Sequence, residues 1–401
     1  MAYRREMTQD VTIHDESKVY RGYTLFAPMM EKIAWLVDMQ GRVVHYWEME
    51  HPPGVHGKLT PEGTLMWLGR GEGAIEDLGG NATYLVEVDW DGNEVWRYDD
   101  RFLHHDFKVL DNGNIMVLRF GEIPKDIQKR IKGGVPGTEL EGGEILGVTA
   151  AEINRKGEIL WEWKNWEHFD PDREVECELA NRLVWGYTNS VDVFPNGDVL
   201  LSFRHLNTVA RISRETGEIV WRWGPEHLLG HQHAASVLDN GNILLFDNGL
   251  HRKPMRPGDP HEISSFTVSR PVEVNPDTDE IVWEYIDPLH NLFTNFCGSA
   301  ERLANGNTFI CESRTGTFFE ITYDKEVVWK YISPFVVLRP EIWGWKESKL
   351  IFQAHRYGED FEGFRGKELD PDRYEWVIRE KPKEISEEED LIASRLSRAG
   401  Y

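Results

Sequence analysis

The chain has 401 residues, 40% hydrophobic and 28% charged, which supplies a sizeable core and excludes a mainly disordered protein. Asp and Glu outnumber Lys and Arg by 69 to 45, and the net charge of −24 repels phosphate backbones and anionic lipid, so nucleic acid and membrane surfaces are poor partners. No apolar run reaches the roughly 20 residues of a bilayer span, and the opening residues lack the apolar core of a signal peptide, from which a cytoplasmic chain is expected.

Composition then directs attention to repeats, because 16 Trp and 36 Gly accompany short strand-like segments. A phrase of turn, two apolar residues, an aromatic, a polar residue and another aromatic recurs along the chain. Its copies are Gly41-Arg-Val-Val-His-Tyr-Trp47, Gly92-Asn-Glu-Val-Trp-Arg-Tyr98, Gly157-Glu-Ile-Leu-Trp-Glu-Trp163, Gly217-Glu-Ile-Val-Trp-Arg-Trp223, Asp279-Glu-Ile-Val-Trp-Glu-Tyr285 and Lys325-Glu-Val-Val-Trp-Lys-Tyr331. Between them lie β-hairpin signals, two apolar segments joined at Pro61-Glu-Gly63, Asp111-Asn-Gly113, Pro195-Asn-Gly197, Asp239-Asn-Gly241 and Ala304-Asn-Gly306.

The aromatic phrases are spaced by 46 to 65 residues, enough for one four-stranded blade with variable loops. Repeated antiparallel blades remove exposed edges by closing into a ring, so the predicted fold is all-β, a six-bladed β-propeller over residues 1–366. Two packed β-sandwiches would not explain the repeated phrase. The sixth blade is degenerate, with an inner strand over Glu347 to Tyr357 but no Asn-Gly turn, and the segment from Val19 to Phe26 is a candidate for fastening the ring shut. A charged extension follows over residues 367–401, where Ser386 and Glu389 have capping-box spacing and predict a short helix.

In a propeller the innermost strand of each blade starts beside the central channel, so residues just before each hairpin converge on one mouth. Counting eight residues back from the turn glycine reaches His105, Asn189, His233 and Gly298 in successive blades. Their neighbours include His104, Asp106, Tyr187, Ser190, His231, Gln232, Cys297 and Ser299, and counting forward reaches the neighbourhood of Arg119, Arg204, Asp247 and Arg314. Any one of these polar side chains can serve a loop backbone, but two imidazoles and an amide in register across three blades point to a site.

The phrases Leu103-His-His-Asp-Phe, Thr188-Asn-Ser-Val-Asp-Val, Ser202-Phe-Arg-His-Leu-Asn, Gly230-His-Gln-His-Ala-Ala, Phe246-Asp-Asn-Gly and Ala354-His-Arg-Tyr, in this order, resemble the arylsulfotransferases that use aryl sulfates as donors. The resemblance spans roughly residues 20 to 360. It implies a six-bladed propeller that passes a sulfuryl group between phenols through a histidine. His233 would take the group, Arg204 and Asn189 would hold its oxygens, and His105 would assist the phenol. That assignment suits sulfuryl transfer, which needs a neutral imidazole nucleophile, fixed donors for the non-bridging oxygens and an acid or base. His104, Tyr187, His231, His355, Ser299 and Phe296 complete the expected substrate surface. Tyr187 stands where the family usually has a histidine, which weakens one sulfate contact, and the family's characterised members are exported.

A second reading uses the same residues. His231 and His233 share one strand face, and with His105 they form a candidate site for a divalent transition metal in a lyase, hydrolase or oxygenase. A third is a binding propeller without catalysis. The expected partner is a small aromatic or anionic molecule, with no cofactor in the sulfuryl-transfer reading, and self-association is open. Cys177, Cys297 and Cys311 lack Cys-x-x-Cys spacing and indicate neither a disulfide framework nor a structural zinc knot. His14, His51, His168, His227, His261 and His290 read as loop residues, and Lys125, Lys129, Arg130 and Lys132 as a solvated basic face.

Overall fold

The aromatic phrases become the fourth strands, counted outward, of six antiparallel sheets, and the Gly turns join the two innermost strands of five of them. These relations come from a computed structural model that describes residues 10–75, 78–224, 228–252, 268–338 and 347–374. From the channel outward, blade 1 comprises Pro53–Leu59, Leu65–Gly69, Tyr84–Val88 and Glu94–Asp99, and blade 2 Leu103–Val109, Ile115–Glu122, Leu146–Ile153 and Ile159–Lys164. Blade 3 comprises Thr188–Val193, Val199–Phe203, Thr208–Ile212 and Ile219–Trp223, and blade 4 His233–Val237, Ile243–Asp247, Arg270–Asn275 and Glu280–Glu284. Blade 5 is built from Ser299–Arg302, Thr308–Glu312, Thr317–Ile321 and Val327–Ile332.

Blade 6 is made from both ends of the chain. Ile351–Gly358 forms its innermost strand and pairs with Gly22–Pro28, which Ile33–Val37 and Val43–Glu48 follow outward. The blade that looked degenerate is therefore complete, and the early segment does fasten the ring. A second seam crossing comes from Asp10–His14, which adds a fifth strand to the outer edge of blade 5. Between these crossings Arg356 is buried, donating to Thr24 Oγ1 and the Tyr20 carbonyl at 3.0 Å and facing Glu320.

The repeated tryptophans have a structural explanation. An indole of each blade donates its Nε1–H to the outer turn of the next: Trp47 to the Asp89 carbonyl, Trp96 to Arg155, Trp163 to Gly217, Trp223 to Asp279, Trp283 to Tyr323, and Trp329 across the seam to Met39. The bonds span 2.7–3.1 Å. Each contributes on the order of 1 kcal/mol besides the burial of the ring. The aromatic residue thus recurs because every inter-blade joint needs the same staple.

The basic run after blade 2 holds one short helix, Lys125–Gln128. Lys125 pairs with Glu144, and Arg130 and Lys132 pair with Asp172, so these charges are spent on neighbouring carboxylates. The described part of the C-terminal extension lies against blade 6, with Tyr374 edge-on to His45 and Tyr46. The helix expected around Ser386 and Glu389, and His227 and His261, fall outside the described residues.

Candidate functional site at the propeller mouth

The inner strands of blades 2 to 5 begin irregularly, and that irregularity builds the site. His105, Tyr187, His231 and Cys297 all have backbone φ between 45° and 60°, in the left-handed region. Such conformations disfavour residues with a Cβ and concentrate where the fold aims side chains at a function. From these positions the rings form a continuous arc. His105 and His233 each pack against Phe352 at 6.0 Å between ring centres, His105 lies 5.3 Å from Tyr187, Tyr187 stacks on His205 at 4.7 Å, and His205 lies 5.9 Å from His231.

His233 is fully buried and its proton is placed by its neighbours. The side-chain amide of Asn248 donates to the carbonyls of Thr294 and Cys297, at 2.9 and 2.7 Å, which turns its Oδ1 toward His233 Nδ1 at 2.7 Å. An amide oxygen accepts, so Nδ1 carries the proton and Nε2 keeps the lone pair. That lone pair faces the backbone N–H of Cys297 at 3.2 Å. Burial, with the nearby Arg204 charge, pushes the His233 pKa down to about 3, so the ring is neutral near pH 7.

His105 sits on a support from blade 1. Its backbone N–H donates to the Gly80 carbonyl at 2.9 Å, and the Tyr187 hydroxyl donates to the adjacent Gly79 carbonyl at 2.9 Å. Gly80 has φ of 69°, and a Cβ there would meet the His105 ring. Behind His105, His104 shares a hydrogen bond between the two Nδ1 atoms at 3.0 Å and stacks on Phe120. Burial holds His105 well below the usual imidazole range, with the neighbouring imidazoles His104 and His233 and the Arg204 charge acting the same way.

Arg204 is the electrostatic centre. It starts the short turn Arg204–Leu206 after the second strand of blade 3, is 6% exposed, and has no hydrogen-bond partner at Nε. No carboxylate pairs with it among the described residues, and its charge acts on His105, His205, His231 and His233. By contrast Arg119 pairs with Asp100 and Glu162, and Asp247 with Arg252 and Arg270. A buried guanidinium without a counter-charge is costly, and an anion at the mouth would supply one.

Of the remaining expected residues, Asn189 gives one Nδ2 proton to the Gln232 carbonyl at 2.7 Å, and its Oδ1 is buried without a partner. Ser299 Oγ is also buried and unpartnered. Phe296 belongs to the core beneath the mouth with Tyr187 and Phe352. His355 lies further along its strand than Phe352, paired with Glu301 and 3.4 Å from His56. His56 in turn meets Asp106 at 3.2 Å, and Lys58 reaches the same carboxylate at 2.7 Å, so a largely buried polar chain links these residues. Burial raises the Asp106 pKa, but Lys58 and His56 outweigh it and hold the carboxyl below its usual range.

Several contributors, His205 and Phe352 of the ring arc among them, were not assigned from sequence. Asn248 stands seven residues past its turn glycine, the same offset that places Arg204, so the register count does contain its signal. His56 is equivalent to Asp106, Ser190 and Ser299 in a blade left out of that count. Gly79 and Gly80 lie in a loop whose contact with His105 no periodicity encodes.

Fold and site together define a six-bladed propeller with a buried guanidinium among neutral imidazoles at one end of its channel. The chain belongs to the arylsulfotransferase (ASST) family, whose profile matches residues 60–334. No curated protein matches its sequence. Among solved structures, a protein of unknown function from Bacteroides caccae aligns with a TM-score of 0.53 at 15% identity, over 84% of this chain and 100% of that one, a likeness of fold. A streptogramin B lyase has a TM-score of 0.44 at 13% identity, over 81% of this chain and 83% of its own. The virginiamycin B lyase of Staphylococcus aureus has 0.39 at 11% identity, over 68% of each chain.

Proposed function

We propose that the protein transfers a sulfuryl group from an aryl sulfate to a phenol, through His233. The observation that carries this reading is the buried, carboxylate-free Arg204 beside an imidazole whose Nε2 lone pair is fixed by Asn248. The Arg204 fork binds two non-bridging sulfate oxygens, and the second Nδ2 proton of Asn189 is directed to another. Nε2 of His233 attacks sulfur as its bond from the Cys297 N–H yields, the bond from sulfur to the aryl oxygen breaks, and a phenolate departs. The sulfo-imidazolium left behind carries its positive charge on a ring whose Nδ1–H donates to Asn248, which offsets that charge. An acceptor phenol then attacks sulfur, the N–S bond breaks, and its proton passes by way of His105 to the departed phenolate. One aryl sulfate and one phenol give one phenol and one aryl sulfate, with His233 restored.

The test is transfer from 4-nitrophenyl sulfate to phenol, with release of 4-nitrophenol followed by absorbance. His233→Ala is expected to abolish turnover, and a sulfo adduct is expected on the wild-type peptide carrying His233 when acceptor is withheld. Equal turnover by His233→Ala and wild type would overturn the covalent route.

A further inference from the structure

Three metal-ligating side chains from separate stretches of chain meet at the rim of the mouth, and none is used in the transfer route above. Cys177 comes from the insertion between blades 2 and 3, His231 from the entry to blade 4, and His251 from the loop after that blade's second strand. Their ligand atoms all lie within 4.8 Å of one another, the one such grouping among the described residues. Sγ of Cys177 stands 3.5 Å from Nδ1 of His251. Two such ligands on one tetrahedral zinc, with a Zn–S bond of about 2.3 Å and a Zn–N bond of about 2.0 Å, stand about 3.5 Å apart.

His231 supplies an independent observation. It is 1% exposed, its ring lies 4.8 Å from that of His251, and neither of its nitrogens has a hydrogen-bond partner. Buried imidazoles are almost always partnered, and a ligand bond accounts for this one. The expected set of His105, His231 and His233 does not serve as well, because its ligand atoms form no such grouping among the described residues.

We propose that Cys177, His231 and His251 bind a zinc-class divalent ion. One thiolate and two imidazoles favour zinc or cobalt over magnesium or calcium, which require oxygen ligands, and three protein ligands leave a fourth position open. Arg204 acts electrostatically on both histidines, and the Cys177 thiolate is the ligand that offsets the added charge. Cys177 and His251 are half-buried, which gives the ion a path from solvent. The bound ion ties the long insertion carrying Cys177 to the mouth.

The full chain, stripped with chelator, is titrated with cobalt(II). One equivalent is expected to bind with a thiolate-to-cobalt charge-transfer band, and zinc is expected to displace it. Cys177→Ser should remove the band, and both it and His251→Gln should weaken binding by about tenfold or more. Cys297 and Cys311 are fully buried, so iodoacetamide reports on Cys177 in the folded wild type, and zinc should protect it. That measurement decides the matter even if the variants do not fold. His233→Ala should keep the band, which separates metal binding from transfer. Absence of the band at saturating cobalt, or alkylation of Cys177 at the same rate with and without zinc, would overturn the site.

Discussion

Gly80→Ala tests whether His105 works at the mouth. The substitution has two separable effects. With φ at 69° it places a Cβ in the left-handed region, which costs roughly 1–2 kcal/mol of stability. It also brings that Cβ within 2.5 Å of Cε1, Nε2 and Nδ1 of His105, where ordinary contact begins near 3.4 Å, so the ring must retreat by about 1 Å. A displacement of that size at a reacting group lowers turnover on the order of 100-fold. Gly113→Ala is the control, since Gly113 has φ of 80° and a Cβ there meets nothing within 4 Å. Gly113→Ala should show the backbone cost alone in urea unfolding and Gly80→Ala about 1–3 kcal/mol more for moving the buried ring, while only Gly80→Ala should lose kcat/KM in the 4-nitrophenyl sulfate assay. If the two variants turn over equally well, His105 has no part in the chemistry.

Two further outcomes follow from charge. Arg204→Met removes a buried cation that no carboxylate balances, so folding stability should stay the same or rise by up to about 2 kcal/mol while transfer is lost; a loss of stability in urea would show that the guanidinium is satisfied within the fold. His56 and His104 are fully buried, and burial holds their pKa values at about 4 and about 3 against 6.5 unfolded. Because the unfolded chain takes up these protons first, their contribution is complete above pH 6.5 and falls as pH drops toward 4, by about 1.4 kcal/mol per pH unit for each ring. Urea midpoints should therefore decline steeply between pH 6 and 4, and a flat profile over that interval would refute the neutral assignment.

The local code was legible in the sequence where one residue has one job. Gly63, Gly113, Gly197, Gly241 and Gly306 all adopt positive φ at the inner hairpin turns, and the indoles of Trp47, Trp96, Trp163, Trp223, Trp283 and Trp329 serve the six inter-blade joints, so turn and aromatic signals mapped directly onto blades. The register count also brought His105, Asn189, His233 and Arg204 to one end of the channel, because strands of similar length start at similar heights in a closed ring. Pairing across blades was not legible. Arg119 and Arg204 stand at similar places in their hairpins, yet one meets carboxylates and the other does not, and only the tertiary arrangement decides this. The same holds for Asn248 turning toward His233, for Gly80 beneath His105, and for Cys177 reaching His251 across a long insertion. A linear sequence sets which backbone turns and strands form, through conformations that each residue permits by itself. Partners separated by tens of residues are chosen only when the ring closes and fixes how far apart their side chains stand.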